Sequence, residues 1–212
     1  DDPDKLKKVI KEELEYIREE YGDERRSPIE ERLDLTTEDL IKPEDMVVTI
    51  SRLGYAKTQP LDEYREQRRG GVGKAGASVK EEDLIQNLYV LSSHSQLLCF
   101  TTKGKVFWLK VYEIPVASRT SKGRPLVNML KLDDDETVTQ ILPVDKFSED
   151  KFIFMATRNG VVKKTNLNLF HKKYKSGIKA IRLDDDDKLV GTVITNGEND
   201  ILLSSYSGKL IR

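Results

Sequence analysis

The sequence is poor in the residues that most often carry chemistry or tie a chain to an oxidising or membranous setting. It has one cysteine, Cys99, in the apolar run Leu97-Leu98-Cys99-Phe100. No intrachain disulfide can form, and a paired-cysteine redox or zinc motif is excluded. A lone thiol in such a run reads as a small buried hydrophobe rather than a nucleophile. The two histidines, His94 and His171, are far apart in sequence and join no Cys/His cluster, so neither is assigned a catalytic or metal role. No apolar run approaches the ~20 residues of a membrane helix, and no signal peptide is recognisable, which predicts a cytosolic chain with no membrane partner.

Charge is what the chain has in abundance, 34% of 212 residues, with a formal net of −1. The near-neutral total conceals a split. Residues 1–45 hold 17 Asp and Glu against 9 Lys and Arg, whereas residues 46–212 hold 20 against 27. A basic domain behind an acidic leader favours a polyanionic partner for the second part.

Leu6, Ile10, Leu14, Ile17 and Tyr21 recur at helical spacing, which predicts an amphipathic helix over residues 1–22, capped by Asp4 and ended at Gly22. With no initiator methionine before it, this helix is expected to be the tail of something longer. Residues 23–45, with Pro28 and Pro43, read as a linker with a short helical turn near Glu38 to Ile41.

Residues 46–212 repeat. Met46 to Ile50, Leu97 to Thr101, Phe152 to Ala156 and Ile201 to Leu203 each lead into a glycine turn and a second extended run, the pattern of a β-hairpin. The turn glycines Gly54, Gly104, Gly160 and Gly208 are 50, 56 and 48 residues apart. Each unit also carries a basic Gly-containing segment, and the later units an acidic run, Asp133 to Glu136 or Asp184 to Asp187, before another apolar stretch. About four short strands per unit at this period suggest propeller-like blades, three complete and a fourth begun, so that either the chain is truncated at Arg212 or its final strands complete a blade begun elsewhere in the ring. The acidic runs lack the alternating ligands and glycine of a calcium loop and read as solvated turns.

The basic segment of the first unit is the most distinctive stretch. Gln67 to Gly76, QRRGGVGKAG, sets Arg68, Arg69 and Lys74 among Gly70, Gly71, Gly73 and Gly76. Arginine forks suit phosphate, and glycines let a backbone approach a large ligand. Neither nucleotide template fits. The glycines follow the polar run DEYREQRR rather than an apolar strand, and Lys74 is followed by Ala75, not by a hydroxyl. The second unit places Arg119, Lys122 and Arg124 at the equivalent point, and the third Lys172, Lys173, Lys175 and Lys179. Successive blades would line these up as a curved positive track suited to bent duplex DNA, held through phosphates with little sequence preference. The competing reading is an ordinary solvated surface on a propeller that binds a protein partner.

The segments IKPEDMVV, VVTISRLGYAK, QRRGGVGKAG and RTSKGRPLVN resemble the C-terminal domain of the bacterial DNA gyrase A family, and EELEYIREEYGDERRSPIE resembles the helix and linker that precede it. The resemblance covers essentially the whole chain. It implies a mainly β fold, a strand-exchanged β-pinwheel of about four-stranded blades behind an α-helical leader. It also implies non-catalytic binding and chiral wrapping of double-stranded DNA, in support of negative supercoiling by an ATP-dependent type II topoisomerase of two A and two B subunits in the bacterial cytoplasm. ATP and magnesium are expected elsewhere in that assembly and no cofactor in this chain. The family box, QRRGGKG, falls on Gln67, Arg68, Arg69, Gly70, Gly71 and Gly73, with Val72 where the family has lysine; Lys74 offers a nearby replacement charge. The family's nucleophilic tyrosine follows an arginine, and none of the eight tyrosines here does. The related topoisomerase IV subunit, which binds with little wrapping, is the alternative within the same superfamily, and Val72 points toward it.

Overall fold

The computed structural model describes residues 2–24, 26–27, 36–63 and 83–212. It divides into two units, Asp1–Thr36 and Thr37–Arg212.

The first unit holds helix α1, Pro3–Tyr21. Its N-cap is Asp2, whose carboxylate accepts the Asp4 N–H at 3.1 Å, and not Asp4 as the sequence suggested. Pro3 explains the difference, because its missing N–H and fixed φ suit the first helical position and move the cap one residue ahead of it. Within this unit Leu6, Ile10, Leu14, Ile17 and Tyr21 are all exposed.

In the second unit a 3-10 turn, Thr37–Leu40, precedes a series of antiparallel strands. The first repeat gives β1 (Asp45–Ser51), β2 (Tyr55–Pro60) and β3 (Ile85–Ser92); the second gives β4 (Gln96–Thr101), β5 (Lys105–Lys110), β6 (Arg124–Pro125) and β7 (Val138–Val144). The third gives β8 (Phe152–Thr157), β9 (Val162–Asn166), β10 (Ile178–Lys179) and β11 (Leu189–Thr195), and the pair β12 (Leu203–Ser204) and β13 (Leu210–Ile211) follows. The hairpin turns close on Gly54, Gly104, Gly160 and Gly208 at φ between 71 and 87°. Only glycine enters that left-handed region without strain, so the turn positions were legible in the sequence.

The sheets are ordered β3-β1-β2-β6, β10-β5-β4-β7 and β11-β8-β9. One outermost strand of each four-stranded sheet is borrowed. β6 belongs to the second repeat yet pairs with β2 of the first, Ala56 opposite Arg124, and β10 of the third repeat pairs with β5 of the second, Lys105 opposite Lys179. This exchange is what makes the fold a pinwheel rather than a row of independent blades.

The blades are also joined by a shared core. Side chains alternate across a strand, and every residue of β4 is buried, so it feeds two clusters. Leu97 and Cys99 pack with Met46, Val48, Ile50 and Leu109 between the first and second blades, while Leu98 and Phe100 pack with Ile153, Met155 and Phe170 between the second and third. Cys99 is fully buried, and burial pushes its thiol up to about 12. That suits a core residue and not a nucleophile.

Candidate nucleic-acid interface

The exchanged strands carry Arg124 and Lys179, the segments leading into them carry the other predicted cations, and backbone chemistry fixes these segments to the neighbouring blade. The segment before β6 runs beside β2. Thr58 N–H donates to the Pro115 carbonyl at 3.0 Å, Ala117 N–H donates to the Thr58 carbonyl at 3.1 Å, and the Thr58 hydroxyl donates to the Ile114 carbonyl at 3.2 Å. At Gly123, φ is 82° and a Cβ would lie 2.3 Å from the Ala56 carbonyl oxygen, so only glycine lets the chain come this close.

The central fastener is Lys57. It is 5% exposed, and its Nζ donates to the carbonyls of Ser118, Arg119 and Ser121 at 3.1, 2.8 and 2.8 Å. Burial pulls its ammonium below the ordinary lysine range. Three convergent carbonyls nevertheless satisfy all three donors of the group. The loop gathered around Lys57 presents Arg119, Lys122 and Arg124. The Arg119 guanidinium reaches the Glu63 carbonyl, the Lys122 ammonium lies over the Tyr55 ring at 5.2 Å, and the Arg124 side chain is exposed.

The third repeat docks on the second blade in the same manner with different side chains. Trp108 Nε1 donates to the Phe170 carbonyl at 2.7 Å, and its ring lies 6.0 Å from that of Tyr174. Gly177, φ 68°, passes so close to Phe107 that a Cβ would fall 2.8 Å from the ring. Lys172, Lys173, Lys175 and Lys179 are all exposed on this segment. Packing around the Lys173 ammonium and the nearby Lys110 lower its pKa, while Glu38 and Glu113 oppose them. Glu38 accepts from Lys110 Nζ at 2.6 Å, and this hydrogen bond chiefly holds its carboxyl below the usual range. The acidic turn ahead of β1 is thereby tied to the second blade.

Two of the three predicted clusters are therefore located, on the segments that lead into and include the exchanged outer strands of successive blades. The third, the box Gln67, Arg68, Arg69, Gly70, Gly71, Gly73 and Lys74, lies outside the described residues.

Sequence reasoning missed one repeated feature. The acidic runs are not simply solvated turns. Asp133 to Asp135 and Asp184 to Asp186 are largely solvent-facing, but the last acid of each run, Glu136 at 2% and Asp187 at 7%, is buried, as is Asp83 at 4% in the first repeat. Each braces the neighbouring hairpin. Asp83 accepts the Leu53 N–H at 3.0 Å, Glu136 accepts the Thr101 hydroxyl at 2.5 Å, and Asp187 accepts the Asn159 N–H at 3.0 Å. Lys105 pairs with Asp133 at 2.8 Å and reaches Glu136 at 3.4 Å. The available signal was the recurrence of one acid just before each long apolar strand.

Comparison with known proteins follows the same repeats. A family model described as DNA gyrase C-terminal domain, beta-propeller, matches residues 45–92, 95–145 and 151–196. The DNA gyrase A subunit of Aeromonas salmonicida is 49% identical over 211 residues, an alignment that covers 99% of this chain and 23% of that protein. Among solved structures, the C-terminal domain of DNA topoisomerase IV matches with a TM-score of 0.69 at 26% identity, covering 81% of this chain and 52% of that one. The DNA gyrase A C-terminal domain matches with a TM-score of 0.53 at 24% identity, covering 72% and 48%, a likeness of fold. The borrowed outer strands, the shared cores and the three matched repeats place this chain in the DNA gyrase C-terminal domain family, with that family's β-pinwheel fold.

Proposed function

We propose that this chain binds double-stranded DNA along its basic outer strands and wraps it, as the C-terminal part of a gyrase A subunit. The observation that supports this most is the recurrence of cations on the segments that lead into and include the borrowed strands. Arg119, Lys122 and Arg124 on the first blade are followed by Lys172, Lys173, Lys175 and Lys179 on the second, at equivalent places in adjoining repeats. Contacts of this kind go to phosphates, which position a duplex without reading its sequence. The box at Gln67 to Gly73, with Lys74, supplies the third basic segment of the same series.

In this reading the chain performs no bond chemistry. Strand cleavage, ATP hydrolysis and magnesium binding belong to the remainder of the gyrase A protein and to the gyrase B protein, in a two-plus-two assembly acting on DNA in the bacterial cytoplasm. The chain contributes geometry, since a chiral wrap fixes the sign of the crossing presented to the cleavage centre.

The test is to ligate a nicked DNA circle in the presence of the 212-residue chain and read the linking number of the products on a gel. A shift that grows with protein, and that Arg68→Ala with Arg69→Ala removes while leaving much of the binding, is the expected result. Binding with an unchanged linking number would place the chain with its weakly wrapping topoisomerase IV relatives. Binding of a protein partner instead of DNA would lack the salt dependence of phosphate contacts, a log–log slope of about 0.9 for each phosphate neutralised.

A further inference from the structure

We infer that the cleft between the first and second blades seats a backbone phosphate of the bound duplex, with Lys131 acting beside Arg124 and Lys175; this rests on the DNA-binding reading above. The cleft has a volume of about 410 Å³. Strand exchange builds it from two repeats. Arg124 and Lys131 come from the second, Tyr174 and Lys175 from the third, and Trp108 of β5 completes the lining.

Its electrostatics favour an anion. Among the described residues the side chains of Arg124, Lys131 and Lys175 have no hydrogen-bond or ion-pair partner, and all three residues are exposed. The lining also holds one carboxylate, Glu113, whose Oε2 accepts the Lys110 backbone N–H at 2.7 Å, so three cations face one anion and the lining keeps a positive excess. An excess of cations lining one cleft is relieved when an anion enters. Further exposed cations adjoin these in the chain, Lys122 in the second repeat and Lys172 and Lys179 in the third. The complementary occupant is therefore a polyanion that passes across the cleft, and not an isolated carboxylate.

The aromatic residues fit the same occupant. Tyr174 is 48% exposed, with an apolar face and a polar tip suited to deoxyribose and phosphate. Trp108 is half-buried with its N–H spent on Phe170, so it offers the cleft a ring and no donor. A seat shared by two repeats would fix where the duplex crosses from one blade to the next, which scattered surface lysines cannot do.

Trp108 is the single tryptophan of the sequence, so intrinsic tryptophan emission reports on this cleft alone. The chain is titrated with a short duplex while Trp108 emission is followed, and in parallel with a labelled duplex while its anisotropy is followed. The expected result is an emission change with the same midpoint as the anisotropy change. Lys131→Gln with Lys175→Gln should abolish the emission change and lower the log–log salt slope by about 0.9, the value for one lost phosphate contact. Lys172→Gln with Lys179→Gln, an equal loss of charge outside the cleft, should weaken binding and leave the emission change in place. An unchanged unfolding midpoint in both double variants shows that neither acts through the fold. If the duplex binds by anisotropy and Trp108 emission stays constant, or if the cleft variant keeps the full response and slope, the seat does not exist although the DNA-binding reading stands. If no duplex binds at all, both fall together.

Discussion

Lys57 and Asp187 show how single buried charges organise the surface that other residues use. Removing the Lys57 ammonium leaves the Ser118, Arg119 and Ser121 carbonyls without the donor that gathers them. Hydrogen bonds to a charged group contribute about 1.5–3 kcal/mol, and an orphaned buried acceptor costs about 1–3 kcal/mol, so Lys57→Met should destabilise the domain by roughly 2–4 kcal/mol. Urea unfolding measures this, and a loss under about 0.5 kcal/mol, the range of an ordinary surface change, would mean that the loop is held by its backbone contacts alone. Asp187 makes a pH prediction. Burial raises its carboxyl, but hydrogen bonds from the Thr157 hydroxyl and from the N–H groups of Asn159, Lys188 and Arg158 outweigh it, and the net shift is below the ordinary 3.8. With the folded value below the unfolded one, its contribution is complete above 3.8 and disappears as pH falls through the folded value. The stability gap between the parent and Asp187→Asn should therefore be constant near neutrality and close in strongly acidic buffer. A gap that widens on acidification would reverse the assignment.

At the scale of the element, the exchanged strand is the weak point of the blade. β6 and β10 are two residues long, and their attachment depends on glycines that let the chain press against the strand beneath. Gly123→Ala would drive a Cβ to 2.3 Å from the Ala56 carbonyl and hold an alanine at φ 82°, whereas Gly160, at φ 87°, has nothing within 4 Å of a Cβ. Gly160→Ala should cost only the left-handed conformation, about 1–2 kcal/mol. Gly123→Ala should cost more and should specifically accelerate hydrogen exchange at Leu126 N–H, which donates to the Gly54 carbonyl at 2.8 Å. Equal exchange rates in the two variants would show that β6 does not depend on that approach. The same contrast explains what the sequence disclosed. Alternation and turn glycines made the hairpins and the long strands β7 and β11 visible, the former by φ and the latter by apolar runs. A two-residue strand has no periodicity, so the donation of β6 and β10 to the preceding blade came from family resemblance and not from pattern. The basic segments were legible as segments because they recur. Lys57 was not, because a lysine inside a strand looks like any solvent-facing residue until the three carbonyls that cage it are in place. Glu136 and Asp187 were hidden at the ends of runs whose other members face solvent.

At the scale of the whole repeat unit, the question is whether the blades behave as one body. Repeat arrays can unfold piecewise when the interface between neighbours is weaker than each unit. Here the interface is the core itself, because β4 gives Leu97 and Cys99 to one cluster and Leu98 and Phe100 to the other, and because each borrowed strand would be stranded if its host blade opened. The first three blades should therefore unfold in a single transition. Leu97→Ala and Leu98→Ala, each removing a fully buried side chain, should each cost about 2–5 kcal/mol. Although they open cavities on opposite faces of the strand, both should shift the same midpoint, with Trp108 emission and far-ultraviolet circular dichroism coincident throughout. If Leu97→Ala moved one of two resolved transitions and Leu98→Ala moved the other, the blades would be thermodynamically separate. A wrapped duplex would then rest on a hinged surface, and the path across the cleft of Arg124, Lys131 and Lys175 would vary from molecule to molecule. A single transition instead makes the rim one rigid template, which is what a wrap of fixed sign requires of the protein.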